Sequence, residues 1–279
     1  MHPILFSVGS FTIYSYGFFV ALGFISAVWY MSYALKKSKS KILSQDQLYS
    51  LAIYLIIAAV VGARVVYEFV ENFAGFMANP FDIFKVWQGG LVFYGGLIAA
   101  VATFVFFAVK KKKNVLKLAD LFAPAIALGH FFGRIGCFFA GCCYGKECAL
   151  PWSVEFNNPD TLAVKGVHVH PTQLYEAFGN LIIFVILALY NKNRDKHKAG
   201  NTLALYFLGY GILRFVVEFF RADYRGGEFL GLSVSQVFSI ILFAIGCIML
   251  TNEQITVKVK KIRKRKKTQS NAKNRIRKI

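Results

Sequence analysis

The sequence has few acidic residues and few polar stretches outside its C-terminal tail. Of its 279 residues only 14 are Asp or Glu, against 33 Lys and Arg, whereas 56% are hydrophobic. This composition excludes an ordinary soluble globular domain. No internal repeat is evident, which excludes a repeat architecture. No basic segment or small-residue cleavage site precedes the first apolar stretch, so we expect that stretch to be retained rather than removed as a signal peptide.

Seven apolar stretches are long enough to cross a bilayer as helices, which takes roughly 17 to 25 residues. They lie near residues 11–35, 48–70, 89–109, 118–140, 174–190, 202–220 and 232–250. The sequence therefore predicts an all-α polytopic membrane protein. Its seven transmembrane helices would form one domain covering residues 1–250.

Most basic residues follow the first, third, fifth and seventh apolar stretches. Clusters occur at residues 36–41, 110–117 and 192–198, and a basic tail covers residues 251–279. By the positive-inside rule, these segments face the cytoplasm and the N-terminus lies outside. Because no RNA-binding motif accompanies the charge, we interpret the tail as an orientation determinant on anionic membrane lipids and expect no nucleic-acid partner.

Two loops carry patterns of their own. The loop at 71–88 scatters aromatic residues among polar ones, a composition typical of segments that lie in the headgroup layer. The loop at 141–173 alternates like a strand around Glu155 and Phe156. We expect the first to be an interfacial surface arm and the second to be a small extracytoplasmic cap.

Charged side chains within the apolar stretches are expected to be functional, because a charge at membrane depth is costly. They are Arg64, Glu68, Arg134, Glu176, Arg214, Glu218 and Arg221. In the predicted orientation, the arginines at 64, 134 and 214 lie in the outer half of the bilayer. The helices that run the opposite way bring further polar groups to this depth, namely Tyr16, Tyr94, Glu176 and Gln236. We therefore predict a polar cavity opening toward the outer leaflet.

Two interpretations of these charges remain. Arg64 with Glu68, and Arg214 with Glu218, have the i,i+4 spacing of pairs that hold helices together. Arg134 has no such partner in its helix, and the surplus of arginine favours an anion, since the planar guanidinium binds phosphate with two hydrogen bonds. The sequence thus favours a phospholipid-processing site. The alternatives are a membrane transporter and a lipid- or anion-binding protein.

The cysteines leave several interpretations open. Cys137, Cys142, Cys143 and Cys148 follow a C-x4-C-C-x4-C spacing that matches none of the usual zinc patterns, and Cys247 stands alone. Four interpretations are open for these cysteines: small packing residues, a disulfide on an oxidising side of the membrane, a metal site or a nucleophile. We predict no metal and no cofactor, and we regard His170 as a better acid–base candidate than any cysteine.

Six motifs, in this order along residues 1 to about 250, resemble those of the prolipoprotein diacylglyceryl transferase family. They are SYG at 15–17, GARVVYE at 62–68, GGLVFYGGL at 89–97, GRIGCFFAGCCYG at 133–145, HPTQLYE at 170–176 and RFVVEFFR at 214–221. The resemblance implies transfer of the sn-1,2-diacylglyceryl group from phosphatidylglycerol to the lipobox cysteine thiol of prolipoprotein signal peptides. A thioether would form and glycerol phosphate would leave, at the bacterial cytoplasmic (inner) membrane.

The resemblance also implies roles for particular residues. The arginines matching Arg134 and Arg214 are critical in the family, and Glu218 would position its neighbour. Many members have a histidine where this chain has Tyr94, and an asparagine and a glutamate where it has Cys137 and Cys142. We therefore assign hydrogen bonding to phosphate to Tyr94. The base role falls to His170 or to no residue, since a thiol needs only modest help to ionise.

The remaining predictions concern substrate binding. The predicted substrate-binding residues are Tyr16, Arg64, Gly95, Gly96, Gln173, Arg221 and Gln236. The paired glycines fit a turn where backbone approaches lipid phosphate. The alternative for them is close packing of small residues between helices.

Overall fold

The computed structural model describes residues 1–9, 11–38, 42–86, 89–192, 197–222, 228–229 and 231–251. Within these residues the chain is mostly helical. The predicted basic tail beyond Thr251 lies outside them, as do several of the basic loop residues that carried the orientation argument.

The described residues form eight α-helices. They are α1 (Ser15–Lys37), α2 (Gln45–Val70), α3 (Phe73–Ala78), α4 (Phe93–Lys110), α5 (Val115–Ala140), α6 (Thr172–Asn191), α7 (Asn201–Glu218) and α8 (Val234–Thr251). All except α3 and α7 are long and apolar enough to cross a membrane. The prediction of a polytopic, mainly helical membrane protein is therefore confirmed, with six spans meeting the criterion rather than seven.

Helix α7 has as many residues as α4 but is less apolar. Polar side chains recur at every fourth position, which places them on one face of the helix. They are Thr202, Tyr206, Tyr210, Arg214 and Glu218. Thr202, Tyr206 and Arg214 are buried. These polar side chains lower the mean hydropathy of α7. They are compatible with a membrane helix because their face is turned into the protein rather than toward lipid.

Small hairpins add strands that the all-α prediction did not include. The paired strands are β1 (Ile4–Val8) with β2 (Phe11–Tyr14), β3 (Val154–Glu155) with β4 (His168–Val169), and β5 (Glu228–Phe229) with β6 (Leu232–Ser233). The first hairpin corrects the start of the first span from residue 11 to Ser15. There the Ser15 amide donates to the Pro3 carbonyl at 2.8 Å, and the buried hydroxyl donates to the His2 carbonyl.

The chain divides into two compact units. Unit 1 comprises Met1–Ser26 and Phe122–Ile279, and unit 2 comprises Ala27–Leu121. In unit 1, α5, α6 and α7 pack around a core of Ala123, Ala127, Ile183, Leu187 and Tyr206. The loop expected to form a cap contains β3 and β4 and buries a second cluster of Phe156, Ala163 and Val169.

In unit 2, helices α2 and α4 lie very close together. A Cβ on Gly95 would fall 2.4 Å from the Gly62 carbonyl oxygen, and a Cβ on Gly62 would fall 2.6 Å from that of Gly95. Gly96 is also buried, and a Cβ there would lie 2.8 Å from the Ala59 carbonyl oxygen. These contacts favour the packing alternative for Gly95 and Gly96 over the prediction that they bind substrate.

The segment expected to form a surface arm contains α3 and a 3-10 turn at Pro80–Phe84. Neither element has a buried residue, and the rings of Phe73, Phe81 and Phe84 are exposed. An exposed aromatic surface of this kind is compatible with the predicted position in the headgroup layer.

Candidate active site

In unit 1, three arginines converge on the fully buried carboxylate of Glu176. Oε1 of Glu176 lies 2.8 Å from Nη2 of Arg134 on α5. Oε2 lies 3.9 Å from Nη1 of Arg214 on α7 and 3.7 Å from Nη1 of Arg221, just beyond α7. Helix α6 places Glu176 in its second turn, so one carboxylate joins residues from three segments of the chain. We call these residues, together with Glu218, the arginine cluster.

Glu218 is the second carboxylate of the arginine cluster. Its Oε2 lies 2.6 Å from Nη2 of Arg214 and 3.8 Å from Nε of Arg221. Its Oε1 accepts a 2.7 Å hydrogen bond from the Ser233 hydroxyl. Nη2 of Arg214 also donates to Ser235 Oγ at 2.8 Å. Residues at the start of α8 therefore orient both members of the Arg214–Glu218 pair.

Gln236 has a structural role at the N-terminus of α8. The Ser233 amide donates to Gln236 Oε1 at 3.0 Å, and the Gln236 amide donates to Ser233 Oγ at 3.2 Å. This reciprocal arrangement is a capping box. The sequence analysis missed Ser233 and Ser235, although Ser-x-x-Gln before an apolar run is a recognisable helix start. Gln236, predicted to bind substrate, lies next to the arginine cluster as a helix cap.

The arginine cluster carries more positive than negative charge. Three guanidinium groups face two carboxylates, which leaves one positive charge unbalanced. The side chains of Arg214 and Arg221 are 8% and 2% exposed, whereas that of Arg134 is 18% exposed. Nη1 of Arg214 is buried and has no hydrogen-bond acceptor among the described residues. A buried surplus of this kind suits an anion with several oxygens.

Arg64, in unit 2, has a different environment. Its Nη1 donates to the Gly89 carbonyl at 2.6 Å, its Nη2 to that of Asp82 at 2.6 Å and its Nε to that of Ile83 at 3.3 Å. Nη2 also lies 2.6 Å from Oε1 of the fully buried Glu68. Every guanidinium nitrogen thus has a protein acceptor, which favours a structural role for Arg64 over the predicted role in substrate binding.

Tyr94, predicted to bind phosphate, and His170, predicted to be the base, lie in different units. Tyr94 is the second residue of α4 in unit 2 and is exposed. His170 lies in the cap of unit 1, where its Nδ1 is 3.2 Å from the Tyr175 hydroxyl and its ring packs edge-on to Phe220. Among the described residues, these contacts do not connect the His170 ring to a member of the arginine cluster. Its role as base stays a prediction.

Tyr16 and Gln173 lie near the end of α5. The Tyr16 hydroxyl is within electrostatic range of Arg134 and Cys137. Gln173 is fully buried, and its Nε2 donates to the Cys142 carbonyl at 2.8 Å. Contact with Cys137 lowers the pKa of the Cys142 thiol, but contact with Cys143 and burial outweigh it and raise that pKa to about 11. The raised pKa disfavours the interpretation of Cys142 as a nucleophile.

Comparison with known proteins extends over almost the whole described chain. Residues 3–252 match the family model described as prolipoprotein diacylglyceryl transferase. The chain is 37% identical to the phosphatidylglycerol–prolipoprotein diacylglyceryl transferase of Clostridium tetani over 88% of its length and 95% of the relative's. It is 37% identical to the protein named phosphatidylglycerol–prolipoprotein diacylglyceryl transferase 2 of Clostridium perfringens, covering 96% and 99%. For the transferase of Pseudoalteromonas translucida the identity is 34%, covering 92% and 95%.

Proposed function

The chain belongs to the prolipoprotein diacylglyceryl transferase family, and we propose that the arginine cluster is its active site. The activity is transfer of a diacylglyceryl group from phosphatidylglycerol to prolipoproteins, a step of lipoprotein maturation. The observation that carries the site assignment is the buried, unbalanced positive charge shared by Arg134, Arg214 and Arg221.

The reaction places its electrostatic demand on the leaving group. The sulfur of a lipobox cysteine attacks the glyceryl carbon that bears the phosphate. A carbon–sulfur bond forms, the carbon–oxygen bond to phosphate breaks, and glycerol phosphate departs with the electron pair. Fixed guanidinium groups aimed at the phosphate stabilise the charge that develops on it, and one such donor typically contributes about 10²- to 10³-fold in rate.

The members of the arginine cluster would divide this task. Arg134 is the most exposed of the three arginines, so it is the first to meet a phosphate that enters the site. Arg214 is held by Glu218 and Ser235 while its Nη1 is left for a phosphate oxygen. Glu176 keeps the guanidinium groups together in the absence of substrate, since like charges at this distance repel.

The thiol proton must leave as the sulfur attacks, and we retain His170 as the candidate acceptor. Its Nδ1 contacts the Tyr175 hydroxyl, which in turn accepts a 2.8 Å hydrogen bond from Trp152 Nε1. In the tautomer whose Nδ1–H donates to the Tyr175 hydroxyl, Nε2 of His170 is the nitrogen that would take the proton. We also retain a phosphate hydrogen bond for Tyr94, and contacts with substrate for Tyr16, Gln173 and Arg221.

For the topology, we propose that α7 also crosses the membrane, with its polar row facing the protein. The number of spans is then seven. The positive-inside pattern then places the N-terminus outside, the tail in the cytoplasm and the arginine cluster in the outer half of the bilayer. The proposed location is the bacterial cytoplasmic membrane, where phosphatidylglycerol and prolipoprotein signal peptides meet.

The test is a mass measurement on a lipobox peptide incubated with purified protein and phosphatidylglycerol. The wild-type protein should add the mass of one diacylglyceryl group, and Arg134→Ala and Arg214→Ala should lose this product. Lys110→Ala, at the exposed end of α4, removes a positive charge far along the chain from the cluster and should keep full activity. Unchanged turnover in both arginine variants would refute the site assignment while leaving the family activity intact.

A further inference from the structure

Three cysteines lie together where α5 ends. Cys137 is in the last turn of the helix, and Cys142 and Cys143 follow it. Gly141 has φ of 77°, and this left-handed residue turns the chain back so that the Cys142 amide donates to the Cys137 carbonyl at 3.2 Å. A glycine in this conformation is the usual way for a helix to end. As a result the three sulfur atoms lie within 4.8 Å of one another.

The backbone that carries these thiols is pinned to the start of α6. Nε2 of Gln173 donates to the Cys142 carbonyl at 2.8 Å, and Oγ1 of Thr172 donates to the Cys143 carbonyl at 2.8 Å. Both donors are fully buried. Cys143 has φ of 64°, which is uncommon for a residue other than glycine. The backbone at Cys142 and Cys143 is therefore fixed by side chains of α6.

The spacing of the sulfurs suits a shared metal ion. With metal–sulfur distances of about 2.3 Å, three sulfurs around one ion are about 4 Å apart. Among the described residues, the group has no fourth cysteine, histidine or carboxylate ligand. Soft thiolate ligands select Cu(I), zinc and iron–sulfur clusters. Structural zinc sites are almost always four-coordinate, so a site with three protein ligands favours Cu(I).

Coordination of a metal displaces the thiol protons. Arg134 is within electrostatic range of Cys137 and Cys143, and a nearby guanidinium offsets part of the negative charge that three bound thiolates carry. Cys137 is buried, but Cys142 and Cys143 are half-buried, which gives an ion access from one side. The N-terminal end of α1 packs against α5 next to Cys137, since a Cβ on Gly136 would lie 3.3 Å from Tyr16 Cα.

We propose that Cys137, Cys142 and Cys143 form a three-thiolate site for one soft monovalent metal ion, Cu(I) being the ion that fits best. Each coordinating thiol releases its proton to solvent, and no electron is transferred. The site lies beside Arg134, so the bound ion would sit at the edge of the arginine cluster. This assignment differs from the sequence-based prediction of no metal, and it does not depend on the proposed active site.

The experiment uses purified full-length protein in detergent, fully reduced, with Cu(I) titrated against a colorimetric Cu(I) chelator. We expect one Cu(I) per chain and a near-ultraviolet sulfur-to-copper absorbance band. Cys137→Ser, Cys142→Ser and Cys143→Ser should each weaken binding by more than about 100-fold, because losing a partner of a ligand alone costs 10- to 100-fold. Cys148→Ser and Cys247→Ser are the matched controls and should bind like wild type.

Several outcomes would overturn the proposal. They are absence of Cu(I) binding by the reduced wild-type protein, unchanged binding in the three variants, dependence on Cys148, and tighter binding of Zn²⁺ than of Cu(I). A thermal unfolding measurement on each variant separates ligand loss from misfolding. Thiol counting by mass spectrometry before reduction provides a further check, since a disulfide within the trio in the purified protein would also contradict it.

Discussion

Arg64 and Arg214 share a local sequence pattern but have different environments. Each is followed four residues later by a glutamate on its own helix, and each lies 2.6 Å from that carboxylate. The guanidinium of Arg64 also donates hydrogen bonds to the backbone carbonyls of Asp82, Ile83 and Gly89. Arg214 instead contacts Ser235 and leaves Nη1 without a hydrogen-bond acceptor among the described residues.

A buried arginine is structural or functional according to the partners of its remaining donors. The i,i+4 pair neutralises the charge in both places, so the pair itself does not distinguish structure from function. What distinguishes them is the number of donors left and the balance of nearby charge. At Arg64 the protein supplies every acceptor, whereas at Arg214 further guanidinium groups make the site positive. We therefore expect substitutions in the two regions to affect different measured quantities.

The largest effect should come from Arg64→Ala, and it should be a loss of stability. The substitution leaves Glu68 as a buried carboxylate without its cation, which typically costs about 3–5 kcal/mol. Thermal unfolding in detergent and the folded yield from size-exclusion chromatography measure this loss. The control is the double variant Arg64→Leu with Glu68→Leu, which removes both charges and should recover much of the stability. A fully stable Arg64→Ala protein without activity would instead support the prediction that Arg64 binds substrate.

Arg134→Ala should have the opposite signature. We expect transfer to a lipobox peptide to fall by about 10²- to 10³-fold, since one donor to the developing charge is lost. Unfolding should change less than for Arg64→Ala, because Arg134 is more exposed and Glu176 keeps Arg214 and Arg221 nearby. Arg134→Lys provides the matched variant, which keeps the charge but loses the planar fork. Equal losses of stability for Arg64→Ala and Arg134→Ala would contradict the assignment of a structural role to Arg64 and a catalytic role to Arg134.

Gly62→Ala tests whether packing in unit 2 contributes to stability rather than to activity. The added Cβ would lie 2.4 Å from the Ala99 Cβ and 2.6 Å from the Gly95 carbonyl oxygen. Overpacking of this kind costs about 1–3 kcal/mol. The unfolding temperature should fall, whereas the specific activity of the folded fraction should stay close to wild type. Gly129→Ala serves as the control, since a Cβ there meets no heavy atom within 4 Å.

The smallest effect expected is that of Ser235→Ala. It removes one hydrogen bond from Nη2 of Arg214 but leaves the ion pair with Glu218 in place. A single hydrogen bond contributes about 0.5–1.5 kcal/mol, so the rate should fall by no more than roughly tenfold. Ser235→Thr keeps the hydroxyl and should retain more activity than alanine. A loss as large as that of Arg134→Ala would mean that Ser235 contacts the substrate directly.

The helices were predictable from sequence because length and hydropathy alone specify membrane spans. The exception is α7, whose polar row follows from packing against the protein rather than from lipid exposure. The hairpin before Ser15 was missed for a related reason. Its strands are as apolar as the helix that follows, and hydropathy does not distinguish a short strand from the start of a span.

The site was predictable in its charges but not in its contacts. Arg134, Arg214, Glu176 and Glu218 stand out in the sequence because charge is rare in apolar stretches. The three carbonyls that accept hydrogen bonds from Arg64 could not be predicted, since they lie 18, 19 and 25 residues away in sequence. Nor could the spacing of the three thiols, which depends on the left-handed turn at Gly141.

The Ser233 hydroxyl belongs to two structures at once. It accepts from the Gln236 amide as the first residue of a helix start, and it donates to Glu218. Helix initiation at α8 and the electrostatics of Arg214 are thus thermodynamically coupled through a single oxygen atom. A substitution that disrupts the start of α8 should therefore also weaken the Arg214–Glu218 pair, and the reverse. Combined substitutions of Ser233 and Glu218 should cost less stability than the sum of the two single substitutions.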